Sequence, residues 1–192
     1  NIPIVSTLNG LDVVKGTYGF AGLHGNTFSN MAVQNADLLM AFGVRFGQRQ
    51  VGKAPKSYTQ ARVVHVDIDE KELGRIFSDE VSIKMDLKKF LFQLNDEIKQ
   101  VGLPDQKTWH EKIRGWVAQY RANAYLNKNG LDPVRAVEAI SDFFAPHAIL
   151  TSDVGQNQMW VAQAFKVRDS QRLLNSCGFG SMGYSLPAAI GA

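Results

Sequence analysis

Cysteine is almost missing from this chain: Cys177 stands alone among 192 residues. That excludes an internal disulfide framework and fits a reducing compartment, so a cytoplasmic location is expected. No apolar run reaches the ~18 residues a membrane-spanning helix needs. No secretory leader is expected at its start either, because Asn1-Ile2-Pro3-Ile4-Val5 reads as the start of a buried strand. Charge of one sign is equally scarce. With 21 basic and 18 acidic residues the net charge is +3, and no Lys/Arg-rich run concentrates it, so neither nucleic acid nor a membrane is expected as a partner. There is no internal repeat, no low-complexity tract, and no strict glycine fingerprint of dinucleotide-binding folds.

What is present is an ordinary globular composition, 45% hydrophobic and 20% charged, enough to bury a sizeable core as one large domain or two small ones. Both ends look cut: the chain begins in a strand pattern and stops inside the apolar run Ser185–Ala192. A piece of a longer protein is therefore expected.

Short apolar segments alternate with helical patterns in the first half, the sign of a parallel sheet covered on both faces. Strands are expected at Ile2–Thr7, Leu38–Phe42 and Arg62–Val66, and helices at Asn26–Ala36 and Asp86–Val101. In the second helix Leu87, Phe90, Leu91, Leu94, Ile98 and Val101 recur at helical spacing behind Asp86 as N-cap, and Gly102 and Pro104 end it. A polar helical stretch spans Asp105–Tyr125, with Trp109, Ile113, Trp116, Val117 and Tyr120 along one face, before a loop at Asn127–Gly130. Asp132-Pro133 opens a further helix. The strand Ala148–Thr151, the turn Ser152–Gly155, the helix Gln156–Ala164, the strand Leu173–Asn175, a glycine-rich turn and a last helix complete the chain. This predicts one unit over 1–101, a helical linker over 102–130 and a second unit over 131–192.

Candidate chemistry collects just past the strands. In the first unit Thr7-Leu8-Asn9-Gly10, Gly22-Leu23-His24-Gly25, Gly43-Val44-Arg45 with Arg49, and Asp67-Ile68-Asp69 combine small residues, free amides and charge. Such turns can approach a phosphate closely, an arginine can meet a pyrophosphate, and a strand-ending aspartate can accept from a ribose. Blander roles are open for each: His24 as a helix-start cap, Arg45 and Arg49 as solvated charges, Asp67 as a cap. In the second unit Ser152–Trp160 and Gly178–Ala192 are two glycine-rich turns whose amides, with Gln156 and Asn157, suit a diphosphate. Met182 among glycines suits either an aromatic ring or core filling. His65, Trp109 and Trp116 read as structural, and Cys177, with no base beside it in sequence, as an inert thiol.

At these residues the chain resembles the acetolactate synthase (acetohydroxyacid synthase) family of thiamine-diphosphate enzymes. Val154-Gly-Gln-Asn-Gln-Met-Trp160 and Gly180-Ser-Met-Gly-Tyr-Ser-Leu-Pro-Ala-Ala-Ile-Gly191 resemble its diphosphate-binding domain. The four upstream motifs, with His65-Val-Asp-Ile-Asp69, resemble its FAD-binding middle domain in the same order. The resemblance implies an α/β fold: a parallel-sheet, Rossmann-like FAD-binding middle domain, then an incomplete α/β thiamine-diphosphate-binding domain. It implies FAD contacts from Thr7, Leu8, Asn9, Gly22, Leu23, His24, Gly43, Val44, Arg45 and Arg49, with Asp67, Ile68 and Asp86 towards the adenosine. For thiamine diphosphate it implies Val154, Gly155, Gln156 and Asn157 near the diphosphate, and Gly180 and Met182 against the aminopyrimidine.

Three departures accompany the match. Gly47 and Gln48 stand where the family usually has two aspartates, Asn157 where it has histidine, and Met85 where it has glycine. The family's activating glutamate and its Gly-Asp-Gly magnesium motif are expected outside these residues, so no catalytic or metal-ligating residue is assigned within them and the piece alone is expected to be inactive. The reaction implied joins two 2-ketoacids with loss of carbon dioxide, in branched-chain amino-acid synthesis. The parent would be a homodimer or homotetramer, with a regulatory subunit as a further partner. A pyruvate oxidase, a 2-ketoacid decarboxylase or a non-catalytic dinucleotide-binding module are the alternatives.

Overall fold

The structure, a computed structural model, describes residues 2–77, 81–124, 130–168 and 170–192. It is a mixed α/β arrangement with two parallel sheets. The first sheet contains β1 (Leu38–Phe42), β2 (Arg62–Asp67) and β3 (Val81–Lys84) in that order, all parallel. β1 is apolar throughout but buries only Ala41 fully, whereas β2, the central strand, buries Val63, His65 and Val66. The second sheet pairs β4 (Ile149–Ser152) with β5 (Arg172–Asn175), again in parallel.

The helices follow their capping signals. α1 (Thr27–Gln34) starts at Asn26, and α2 (Gln48–Val51) and α3 (Pro55–Tyr58) are single turns between β1 and β2. α4 (Leu87–Val101) is capped by Asp86, whose carboxylate accepts from the Lys89 amide at 3.1 Å. α5 (Lys107–Ala124) packs on α1, burying Ile113 completely. α6 (Pro133–Ser141) is capped by Asp132, which accepts from the Val134 and Arg135 amides. α7 (Gln156–Ala164) joins β4 to β5, and α8 (Ser185–Gly191) follows β5. The expected helix at Asp105–Tyr125 and the expected loop at Asn127–Gly130 extend into residues 125–129, which lie outside the described residues.

Two sequence expectations need correction. Ile2–Thr7 is not a strand of the sheet. It is extended, but its partner is the loop Tyr18–Ala21, met through a single parallel bridge between Ser6 and Phe20 and the bonds Tyr18 N–Ile4 O, Ser6 N–Gly19 O and Ala21 N–Ser6 O. Conversely, β3 was not expected. Its Val81-Ser82-Ile83-Lys84 is an edge strand that leaves most of its surface in solvent, so it lacks the apolar run that marks β1.

The first sheet's core gathers Ala41, Phe46, Val51, Val63 and Phe77. Phe46 organises it. Its ring meets Tyr58, His65 and Phe77 edge-on at centroid distances of 6.5, 5.2 and 5.0 Å. Its backbone has φ +47°, the only described residue other than glycine in the left-handed region. That conformation costs about 1 kcal/mol or more for a residue with a side chain, and the buried aromatic contacts offset it. The loop 43–49 is thereby pinned at its middle, with Arg45 and Arg49 carried on either side.

Candidate functional site

Both glycine turns of the second unit stand at the same end of neighbouring strands. β4 and β5 run in register, Thr151 beside Leu174 and Ser152 beside Asn175, so the turn after β4 and the turn after β5 emerge together. A Cβ placed on Gly180 would lie 3.4 Å from Val154 Cγ2. Asp153 ties the turns. One carboxylate oxygen accepts from the Val154 amide at 2.9 Å, and the other accepts from the amide and the hydroxyl of Ser185, both at 3.3 Å. Thr151 Oγ1 donates to the Ser185 carbonyl at 2.9 Å. Burial pushes the Asp153 carboxyl up, but the bonds from Ser185, Val154 and Gly183 outweigh it and hold it below its ordinary range.

At the start of α7, Gly155 has φ 138° and ψ −169°, a conformation open in practice only to glycine. A Cβ there would also stand 2.9 Å from Asn157 Oδ1. Gln156 and Asn157 are exposed on the first turn, where amides are free and the helix dipole favours an anion. Met182 is 88% exposed, so it is not the core filler that was one of its two readings. Gln158, one turn in, is completely buried, and neither atom of its amide has a hydrogen-bond partner among the described residues.

The candidate residues of the first unit fall into two groups. Gly43 and Asp86 follow the ends of β1 and β3 and Asp67 is the last residue of β2, where the Gly43 amide donates to Val66 O at 2.9 Å and the Met85 amide to Asp67 O at 3.1 Å. Val44 is half-buried beside them and Ile68 is exposed. Asp67 accepts from the Asp69 amide at 2.8 Å and lies 3.9 Å from the ring of His65, which is fully buried. Arg45 is turned to Glu72, at 3.2 Å. Thr7 stands before a single 3-10 turn, Leu8–Gly10, and the Ser6–Phe20 bridge pairs the segment leading into it with the one leading into Gly22, Leu23 and His24. The cap of α1 is Asn26 rather than His24. Its side chain accepts from the Phe20 amide at 3.1 Å and closes the intervening turn. Gly25 fits there because a Cβ would come within 2.4 Å of Phe20 O.

Arg49 links the Leu23 loop to the second glycine turn. Its carbonyl accepts from the Leu23 amide at 2.9 Å, while its guanidinium reaches the second glycine turn, 3.6 Å from the Cβ position of Gly180. Burial pushes the nearby Cys177 thiol up to about 11, with Arg49 pulling the other way. A second link carries no local sequence signal. Gln163 Nε2 donates to His24 O at 2.7 Å, and Asn26 Nδ2 donates to Gln163 O at 3.0 Å, so α7 is clasped to the His24 loop by reciprocal amide bonds. Asp153 was also missed as a site residue, although an acid between a strand and a glycine turn is a readable signal for it. Two cavities form among the described residues, the first beside the Gln163 clasp. One of about 120 Å³ sits between Phe28, Arg121, Val134 and Gln163, and one of about 280 Å³ lies beside Tyr18 and His110.

Known proteins resemble the chain along its whole length. Residues 1–94 match the family described as thiamine pyrophosphate enzyme, central domain, and residues 153–192 match thiamine pyrophosphate enzyme, C-terminal TPP binding domain. The chain is 38% identical over 198 residues to acetolactate synthase 2, chloroplastic, of Nicotiana tabacum, covering 100% of this chain and 30% of that protein. It is 37% identical over 206 residues to the acetolactate synthase large subunit of Cyanidium caldarium, covering 100% of this chain and 34% of that protein. It is 36% identical over 198 residues to that of Pyropia yezoensis, covering 100% of this chain and 33% of that protein. The chain thus spans roughly a third of the length of the curated relatives it matches. With its paired strand-ending turns and matches to both domains, the chain belongs to the thiamine pyrophosphate enzymes.

Proposed function

We propose that this chain is part of a catalytic subunit of acetolactate synthase, which joins two 2-ketoacids with loss of carbon dioxide. The observation that carries the reading is the side-by-side emergence of the Val154 and Gly180 turns from β4 and β5, in a chain 35–38% identical along its whole length to acetolactate synthases. Thiamine diphosphate fits this turn pair. Gly155 adds no Cβ at the start of α7, Gln156 and Asn157 offer donors, and Met182 presents an apolar side chain to solvent.

In this reading Val154, Gly155, Gln156 and Asn157 hold the diphosphate, while Gly180 and Met182 lie against the aminopyrimidine. When bound, the cofactor supplies carbanion chemistry at its thiazolium carbon. This chain's own contribution is positional. The α7 amides bind charge, Asp153 keeps the turns together, and the exposed Met182 shapes the ring's seat. A magnesium ion would pair with the diphosphate through a motif beyond these residues.

FAD fits the first unit. Gly43 has open space where a Cβ would be, and Asp67 and Asp86 stand beside it at the strand ends. Thr7, Leu8, Asn9, Gly22, Leu23, His24, Val44, Arg45, Arg49 and Ile68 would complete a Rossmann-like crevice. The division into a middle domain over 1–101, a linker over 102–130 and part of a thiamine-diphosphate domain over 131–192 belongs to the same reading, as does a dimeric or tetrameric parent. Among the described residues no helix is long and apolar enough to cross a membrane. The cytoplasmic expectation rests on the lone cysteine, and two of the relatives from tobacco are named chloroplastic.

The test is the full-length protein supplied with pyruvate, magnesium, thiamine diphosphate and FAD. Acetolactate as product is expected. Acetaldehyde or acetyl phosphate in its place would move the protein to the decarboxylases or oxidases, and flavin binding without any dependence on thiamine diphosphate would make it a non-catalytic module.

A further inference from the structure

A cleft of about 280 Å³ opens between the N-terminal segment, the loop around Gly16 and helix α5. Its polar lining is Lys15, Tyr18, His110 and Arg114, and among the described residues no carboxylate lines it. Among the described residues neither cation has a carboxylate partner. Lys15 Nζ reaches only the Asp12 carbonyl, at 3.5 Å, and Arg114 forms no ion pair among the described residues. The Asp12 carboxylate, the acid nearest Lys15 in sequence, is already occupied by Arg172 Nε at 2.7 Å and the Leu173 amide at 3.1 Å. Tyr18 Oη and His110 Nδ1 share a hydrogen bond of 2.7 Å, with their rings tilted together at 5.7 Å, which fixes both side chains on the wall of the cleft.

The cleft lies apart from the candidate cofactor residues. Ile4 and Tyr18 stand at the beginning of the parallel pairing between the two extended segments, and Thr7 and Gly22 at its far end, about 10 Å on at ~3.3 Å per residue.

We propose that this cleft binds a multivalent oxyanion. A guanidinium, an ammonium, an imidazole and a phenol, arranged around a pocket without an acid, favour phosphoryl or clustered carboxylate oxygens. Charge-assisted bonds from arginine and lysine supply the attraction, and the tyrosine–histidine pair supplies a fixed rim. The ligand class is a phosphate ester or a polycarboxylate, alike in presenting several oxygens and at least two negative charges. The site goes beyond the proposed synthase activity and does not depend on it.

The experiment is a calorimetric titration of the full-length protein, saturated with thiamine diphosphate so that the α7 turn is not the source of binding. Inorganic phosphate and citrate are titrated separately at low ionic strength. Saturable binding of one of them is expected, weakened roughly tenfold or more in K15Q/R114Q, because both charged donors are then gone. Tighter phosphate assigns the phosphoryl class, and tighter citrate the polycarboxylate class. Absence of saturable binding of either anion, or equal binding by wild type and the double variant, overturns the proposal. If the double variant does not fold, chemical shifts of the Gly16 and His110 amides of the wild-type protein are followed instead. Saturable movement on anion addition is expected there, and unmoved shifts overturn the proposal.

Discussion

Asp153 and Ser185, thirty-two positions apart in the chain, are joined twice, amide and hydroxyl both donating to one carboxylate oxygen at 3.3 Å. This contact holds the turn after β4 against the start of α8. D153A should let the turns separate and weaken thiamine diphosphate binding roughly tenfold, the net worth of a charged hydrogen bond. D153N, which keeps an acceptor, should lose less. Fluorescence titration with the cofactor reads both, and an unchanged D153A affinity would remove Asp153 from its positioning role.

Phe46 combines an unfavourable backbone angle with a fully packed ring. F46A should destabilise the protein by about 3–5 kcal/mol, the usual cost of emptying a buried aromatic site. F46L should cost visibly less. Urea denaturation measures the difference, and a loss under about 1 kcal/mol in F46A would mean that the loop is held by something other than this ring.

The carboxylate of Asp12 connects the loop after Asn9 to β5. Burial pushes its pKa up, the bonds from Arg172 and the Leu173 amide outweigh that, and the net value lies below the ordinary range. A group whose folded pKa is depressed adds stability that is complete above its unfolded pKa, near 3.9 for an aspartate, and disappears as pH falls through the folded value. Wild type should therefore exceed D12N in stability at neutral pH, and the gap should close in acid, below about pH 4. Denaturation of the two proteins across pH 2.5 to 7 checks the sign. A gap that widens in acid would contradict it.

Cys177 should be a slow thiol. With its pKa raised to about 11 by burial, little thiolate exists at pH 8, and alkylation by iodoacetamide should run on the order of a hundredfold slower than for a free cysteine. Rates matching a free thiol would show that the turn opens readily.

Much of this arrangement was legible in residue patterns, for identifiable reasons. Helices α4 and α6 begin at capping aspartates, and β1 is a continuous apolar run, so local chemistry alone located them. The turns at Val154 and Gly180 could be read as glycine-rich ends of strands, but their adjacency depends on the β4–β5 register, which no local signal encodes. The strand β3 was hidden because an edge strand need not be apolar. The extended segment Ile2–Thr7 looked like a buried strand because of its apolar residues, but Ile2 and Ile4 stand exposed and its backbone pairs with a loop and not a sheet. Pairings across long separations, such as Gln163 with His24 or Arg49 with the turn at Gly180, were out of reach for the same reason: they are set by how the units meet.

Because β4 and β5 advance in step, chain length between the two turns is as constrained as chain identity. Deleting one residue from 172–175 would draw the Gly180 loop back by ~3.3 Å and rotate every later side chain of that strand to the opposite face. Substitutions along this ladder can be absorbed one at a time, whereas an insertion or deletion would misalign the paired loops altogether.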